Sequence, residues 1–158
     1  MKKQKGFSLI ELLIVVAIIL IIAAIAIPNL MRSKMAANQS SAVGSLRTIN
    51  TAEVTFSTNY PSVGFATLAA LGGVASTCAT TATSGAACLI DNVLATGTKS
   101  GYVFTVTDGA QTPIVTYTSL ALPQVAGQTG TNAYCSDQSG VLYYDNSGTG
   151  CTNASSAL

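Results

Sequence analysis

The sequence predicts an α+β protein in which a long hydrophobic N-terminal helix, first membrane-spanning and then amphipathic, packs on a small antiparallel β-sheet head. Two observations give this prediction. A strongly apolar segment near the start of the chain passes into a stretch with helical periodicity, and beyond Pro61 the pattern changes to the alternation that is typical of strands. All four cysteines lie in this second part.

Residues 7–30 have the length and composition of a transmembrane helix. The run from Leu12 to Ile27 is entirely apolar, and Phe7 and Ile10 extend it toward the ~20 residues that cross a bilayer. The leader before it, residues 1–6, is rich in lysine, which favours a cytoplasmic position. We therefore expect a single membrane pass.

Glu11 is the ionisable side chain within this segment. A carboxylate near the centre of a transmembrane helix costs roughly 2.5–3.5 kcal/mol, so it is kept near an interface or with a partner. Cleavage between Gly6 and Phe7 would create an ammonium group of opposite sign close to Glu11. The carboxylate would then have a partner in the same apolar surroundings.

The run GFSLIE at residues 6–11, followed by an apolar helix and Pro28, resembles the N-terminus of type IV pilins and of the pseudopilins of type II secretion systems. The resemblance implies that a prepilin peptidase cuts after Gly6 and methylates Phe7. It implies that Glu11 neutralises the terminal amine of an adjacent subunit, and that Pro28 is a helix kink. Family members often have glycine where this chain has Leu20, so local unwinding would depend on Pro28 alone.

An ordinary secretory signal peptide is the alternative interpretation of this segment. Ala24-Ile25-Ala26 fits the A-x-A cleavage pattern, and cleavage there would release a soluble domain that starts at Ile27. The apolar run is longer than the usual hydrophobic region of about 7–15 residues and contains Glu11, so the membrane anchor is favoured.

Residues 31–60 predict the amphipathic half of the helix, which Pro61 ends. Apolar residues recur there at steps of three or four and form one stripe, comprising Ala42, Leu46, Ile49, Ala52, Phe56 and Tyr60. We expect the polar residues between them to lie on the opposite face, namely Ser45, Arg47, Asn50 and Ser57. The stripe requires a sheet to cover it.

Alternating residues after position 100 predict that sheet. Tyr102–Thr107 and Ile114–Leu120 read as a hairpin with a turn at Asp108-Gly109, and two further short strands are expected at Ala133–Cys135 and Val141–Tyr144, joined by a turn at residues 137–140. Residues 62–100 are rich in small residues and predict a variable loop with one short helix near Ala66–Leu71.

The cysteines predict disulfides on the oxidising side of the membrane. Three pairings are possible, and Cys78 with Cys88 and Cys135 with Cys151 are favoured because neighbours in sequence close small loops. A zinc site is disfavoured, since the chain has no histidine and no C-x-x-C spacing.

Other chemistry is sparse. The sequence contains no G-x-S-x-G, no phosphate loop and no histidine base, so we expect neither an enzyme nor a cofactor. Asp137 and Asp145 could offer oxygen ligands to calcium, but both are favoured as turn formers. After Arg47, the sequence contains only one basic side chain, Lys99. The sheet head therefore has no cationic stripe, and direct nucleic-acid binding is not expected.

Together these observations divide the chain into a cytoplasmic leader at 1–6, a transmembrane and assembly segment at 7–30, an amphipathic half-helix at 31–60 and a sheet head at 61–158. The resemblance implies a structural subunit of a pilus-like filament, active in adhesion or motility. It implies assembly with other pilins by an inner-membrane platform and an ATPase motor. The subunit would leave the inner membrane for an extracellular pilus. The alternative is a pseudopilin in a periplasmic secretion pseudopilus.

Overall fold

The computed structural model describes residues 7–73, 78 and 82–158, in two compact units, Met1–Lys34 and Met35–Leu158. The leader and part of the predicted variable loop, residues 74–77 and 79–81, lie outside the described residues. Helix α1 spans Leu9–Asn59 and contributes residues to both units, with Pro28 inside it.

The unit Met35–Leu158 contains a sheet and short helices besides its part of α1. The short helices are α2, Leu68–Leu71, and α3, Asn92–Ala95. The strands are β1 Thr98–Lys99, β2 Tyr102–Asp108, β3 Tyr117–Pro123, β4 Ala133–Asp137, β5 Leu142–Asp145 and β6 Ser156–Ala157. Within the described residues they form one six-stranded antiparallel sheet in sequence order. The predicted α+β architecture is confirmed.

The core of this unit lies between α1 and the sheet. Leu46, Ile49 and Phe56 of α1 are fully buried, and they belong to the same apolar cluster as Tyr102 and Phe104 of β2. Burial of each such side chain contributes roughly 1.5–3 kcal/mol. The predicted apolar stripe is therefore the face that the sheet covers, and Tyr60 at its end is half-buried against Phe56 with ring centroids 4.8 Å apart.

Two residues assigned to the solvent face of α1 are instead buried, so that part of the prediction is wrong. Ser45 and Asn50 are both buried at the sheet. The Asn50 amide donates to Ser136 Oγ at 2.7 Å, and its Oδ1 accepts from the Tyr117 hydroxyl at 3.1 Å. Asn50 is tolerated in the core because β3 and β4 satisfy its hydrogen-bonding groups. Arg47 is exposed, as predicted.

Strands β2 and β3 pair as the predicted hairpin, but β3 lies three residues further along the chain than predicted. Strand β3 begins at Tyr117 and ends at Pro123, because Ile114 bonds to a different segment. The Ile114 amide donates to the Val63 carbonyl at 2.8 Å, and the Ile114 carbonyl accepts from the Phe65 amide at 2.9 Å. Residues 109–116 therefore form a longer connection than the tight turn that Asp108-Gly109 indicates.

Turn and cap signals explain the remaining connections. The Asp137 side chain accepts from the Ser139 amide at 2.9 Å and Gly140 has a φ of +74°, which confirms the turn between β4 and β5. Thr67 caps α2 by accepting from the Ala70 amide, as the short helix predicted near this position requires. Helix α3, which begins after Asp91, and the two-residue strands β1 and β6 were not predicted.

Two disulfides join cysteines that are neighbours in sequence. Cys78 bonds to Cys88 across 10 residues, and Cys135 bonds to Cys151 across 16. Their surroundings differ, because Cys135 is buried in β4 whereas Cys78 is exposed. The second disulfide therefore attaches the C-terminal segment to the interior of the sheet.

We expect Asn50→Ala to lower the free energy of unfolding by about 2–3 kcal/mol, because Tyr117 and Ser136 lose a buried partner. Urea unfolding of the full chain in detergent micelles, followed by circular dichroism, measures this. Thr51→Ala, one position along on the exposed face, is the control and should change stability by less than about 0.5 kcal/mol. Equal effects of the two variants would show that the buried network does not stabilise the unit.

We expect loss of the disulfide between Cys135 and Cys151, in a double alanine variant, to cost roughly 3 kcal/mol through the unfolded chain and further stability through lost burial of Cys135. The matched double variant at Cys78 and Cys88 should lose only the first contribution. The same unfolding measurement compares them, and a larger loss at Cys78 and Cys88 would contradict this order.

Candidate functional site

The candidate assembly segment is the part of α1 in the unit Met1–Lys34. Its large apolar side chains, from Leu9 to Met31, are exposed in the isolated chain. This helix is long and apolar enough to cross a membrane, and its most apolar window has none of its residues buried within the chain. Such a surface requires lipid or other helices around it.

Phe7 and Glu11 lie at the N-terminal end of this segment, and Gly6 lies outside the described residues. Phe7 precedes the helix and is 77% exposed. Helix α1 begins at Leu9, so Ser8 is at the N-cap position and Glu11 is the third helical residue. Phe7 and Glu11 therefore both lie within one turn of the helix start.

A local hydrogen bond also engages Glu11. The Ser8 amide donates to Glu11 Oε2 at 3.0 Å, which is one half of the capping box formed by the S-x-x-E pattern. The position is favourable for a carboxylate, since the N-terminus of a helix carries partial positive charge. Sequence reasoning missed this contact although the S-x-x-E signal was present. Glu11 therefore contributes to the N-terminal end of its own helix.

Among the described residues, no cationic side chain lies within 4.0 Å of Glu11. The ion pair found in this part of the chain joins Lys99 to Asp91. Arg32 and Lys34 stand at the opposite end of the apolar segment. The carboxylate consequently has a hydrogen-bond donor but no balancing charge within the described part of its own chain.

Pro28 lies well inside α1. Proline has no amide hydrogen, so the carbonyl of Ala24, one turn earlier, loses its usual helical hydrogen bond. Leu20 is an ordinary helical position. The backbone weakness in this segment is thus at Pro28, where the resemblance implies a kink.

The two aspartates considered for calcium end strands β4 and β5, and their side chains accept hydrogen bonds from the turns that follow. Asp145 Oδ1 accepts from the Ser147 amide at 2.7 Å, and hydrogen bonds from the hydroxyl and amide of Ser147 lower the pKa of Asp145. Asp137 Oδ1 accepts from Ser139. Among residues 7–73, 78 and 82–158, no three potential metal-binding side chains of the His, Cys, Asp or Glu type cluster together.

Two buried carboxyl groups were not predicted. Glu53 of α1 is fully buried, and Asp108 at the end of β2 has one buried oxygen. The spacing was a signal that could have found Glu53, because it lies four residues after Ile49 and three before Phe56, within the apolar stripe.

Comparison with known proteins supports the resemblance seen at the N-terminus. Residues 1–27 match the family described as the prokaryotic N-terminal methylation motif. The type IV major pilin protein PilA of Myxococcus xanthus is 50% identical over 54 residues, which is 34% of this chain and 24% of that protein. No solved structure matches the chain.

A second relative is the type IV wide pilus major component PilA4 of Thermus thermophilus. It is 58% identical over 40 residues, which is 25% of this chain and 30% of that protein. The matches thus span less than a third of either relative. The chain thus carries the methylation motif at residues 1–27 and is similar, over part of its length, to two type IV pilus proteins.

Proposed function

We propose that this chain is a structural, non-enzymatic subunit of a type IV pilus-like filament. The observation that carries the proposal is the exposed apolar segment of α1, which begins beside Glu11. A segment of this kind has two stable surroundings, the inner membrane before assembly and the bundled helices of other subunits afterwards. The two relatives, both named as pilins or pilus components, support the second.

Maturation precedes assembly in this proposal. A prepilin peptidase removes residues 1–6 by cutting after Gly6, and the new terminal residue, Phe7, is methylated. The match of residues 1–27 to the methylation motif supports this step. Cleavage also removes three lysines, which leaves four basic and six acidic side chains.

Hydrophobic contact is retained when the subunit leaves the bilayer, because neighbouring helices replace lipid around the apolar segment. The Glu11 carboxylate then pairs with the terminal amine of an adjacent subunit in surroundings of low dielectric constant. Leaving either charge alone there is costly, so the pair favours one axial register between subunits. An inner-membrane platform and an ATPase motor would drive the transfer.

A pseudopilin of a type II secretion system is the second candidate, since the same N-terminal motif serves both. The names of the two relatives favour the pilus. The filament, with roles in adhesion or motility, is therefore the preferred function.

Glu11→Gln separates the intersubunit charge pair from the local cap. Glutamine still accepts from the Ser8 amide but has no charge, so we expect normal processing and insertion and at least about a tenfold loss of sheared surface filaments. Glu11→Ala should behave in the same way, whereas Glu11→Asp, which keeps the charge, should retain part of the assembly. Normal filaments from Glu11→Gln would show that the carboxylate acts only on its own helix.

Gly6→Leu should block maturation, because a bulky side chain stands at the proposed scissile bond. We expect the protein to remain a precursor, seen as an unshifted gel band and as Met1-containing peptide in mass spectrometry. Gln4→Ala, in the same leader, should be processed normally. Mature Phe7-terminated protein from Gly6→Leu would show that processing does not require a small residue at position 6.

A further inference from the structure

Glu53 occupies a position in the core that apolar packing does not explain. Its side chain is fully buried, and Oε2 accepts from the Ala66 amide at 3.0 Å. Its other oxygen, Oε1, is buried without a hydrogen-bond partner among the described residues. An ionised carboxylate with an unsatisfied oxygen in such surroundings costs several kcal/mol, so the neutral form is favoured.

Asp108 is the second carboxyl group with a buried oxygen. Alternation along β2 places it on the same sheet face as Tyr102, Phe104 and Val106, the face that α1 covers. Asp108 Oδ1 is also buried without a partner within the described residues. Two carboxyl groups, one from α1 and one from the sheet, thus each have a buried oxygen without a hydrogen-bond partner among the described residues.

Within residues 7–73, 78 and 82–158, we find no ion pair between a cationic side chain and either carboxyl group. From β3, Tyr117 stands opposite Asp108 in register, but its hydroxyl donates to Asn50 rather than to either carboxylate. From the segment after α1, Ala66 offers only its amide. Lys99 is paired with Asp91 at 2.8 Å, and Arg47 is exposed.

We propose that Glu53 is a buried proton-binding site: it holds a proton beneath the sheet face that carries Asp108, and α1 packs most stably against that face while Glu53 is neutral. The reaction is a simple protonation: one proton is taken from solvent as the surroundings become acidic and is returned as they become alkaline. No other reactant is required.

The charge distribution agrees with this assignment of the proton. Burial, opposed by the Ala66 hydrogen bond and reinforced by the charge of Asp108, raises the pKa of Glu53 to about 7. Burial raises the pKa of Asp108 as well. Because the charge of an ionised Asp108 favours the neutral form of Glu53, we assign the proton to Glu53.

The folded protein should become less stable as the pH rises. Glu53 has a higher pKa in the folded protein than its ordinary value of 4.5, so the folded state binds more protons between these values. The stabilisation is complete below about pH 4.5 and is lost as the pH rises toward 7. The chain has no histidine, and the terminal amine is the other group that ordinarily titrates near this range.

Thermal unfolding of the full chain in detergent micelles between pH 4.5 and 8.5, followed by circular dichroism, tests the proposal. We expect the folding equilibrium constant of the unchanged protein to fall about 10- to 100-fold across this range. Glu53→Gln, a neutral isostere, should remove most of that fall and be more stable than the unchanged protein at pH 8. Asp108→Asn should move the transition to lower pH.

Asp145→Asn is the control, since this exposed carboxylate should leave the profile unchanged. The carbon-13 shift of the Glu53 carboxyl, measured in the unchanged protein, gives a second test that does not depend on a variant. A Glu53 titration midpoint near 4.5 would overturn the proposal. A Glu53→Gln profile that parallels the unchanged protein would also overturn it.

Discussion

The apolar surface of α1 is the constraint on which this protein depends. A single chain of this size cannot cover the helix from end to end, and the sheet of the unit Met35–Leu158 covers only the stripe centred on Leu46, Ile49 and Phe56. The remainder, up to Met31, stays exposed in the isolated chain. Lipid or a second copy must supply what the sheet does not, and this requirement connects the fold to assembly.

Much of this fold can be predicted from periodicity, because burial repeats along the chain with the geometry of the element. The helical stripe and the strands after residue 100 were found in this way. The solvent face of α1 was less predictable. Asn50 is buried there because the hydroxyl groups of Tyr117 in β3 and Ser136 in β4 bond to it, and that condition is set by tertiary contacts between residues distant in sequence.

Strand boundaries show the same limit. The pattern from Ile114 onward alternates, yet Ile114 bonds to Val63 and Phe65, and β3 begins only at Tyr117. Local sequence cannot distinguish two possible partners for one extended segment. At the N-terminus, by contrast, the motif is contiguous, so its residues could be named directly, although the capping contact between Ser8 and Glu11 was overlooked.

The two glutamates of α1 illustrate how one residue type can meet opposite requirements. Both are removed from water in the proposals made here, Glu11 among packed helices and Glu53 beneath the sheet, and neither has a cationic side chain beside it among the described residues. A carboxylate in that situation is neutralised either by a cation or by a proton. In the proposed assembly, Glu11 pairs with a terminus that cleavage makes cationic, whereas the charge of Asp108 favours a proton on Glu53. The charge of the neighbouring group would then decide which of the two helix positions responds to assembly and which to pH.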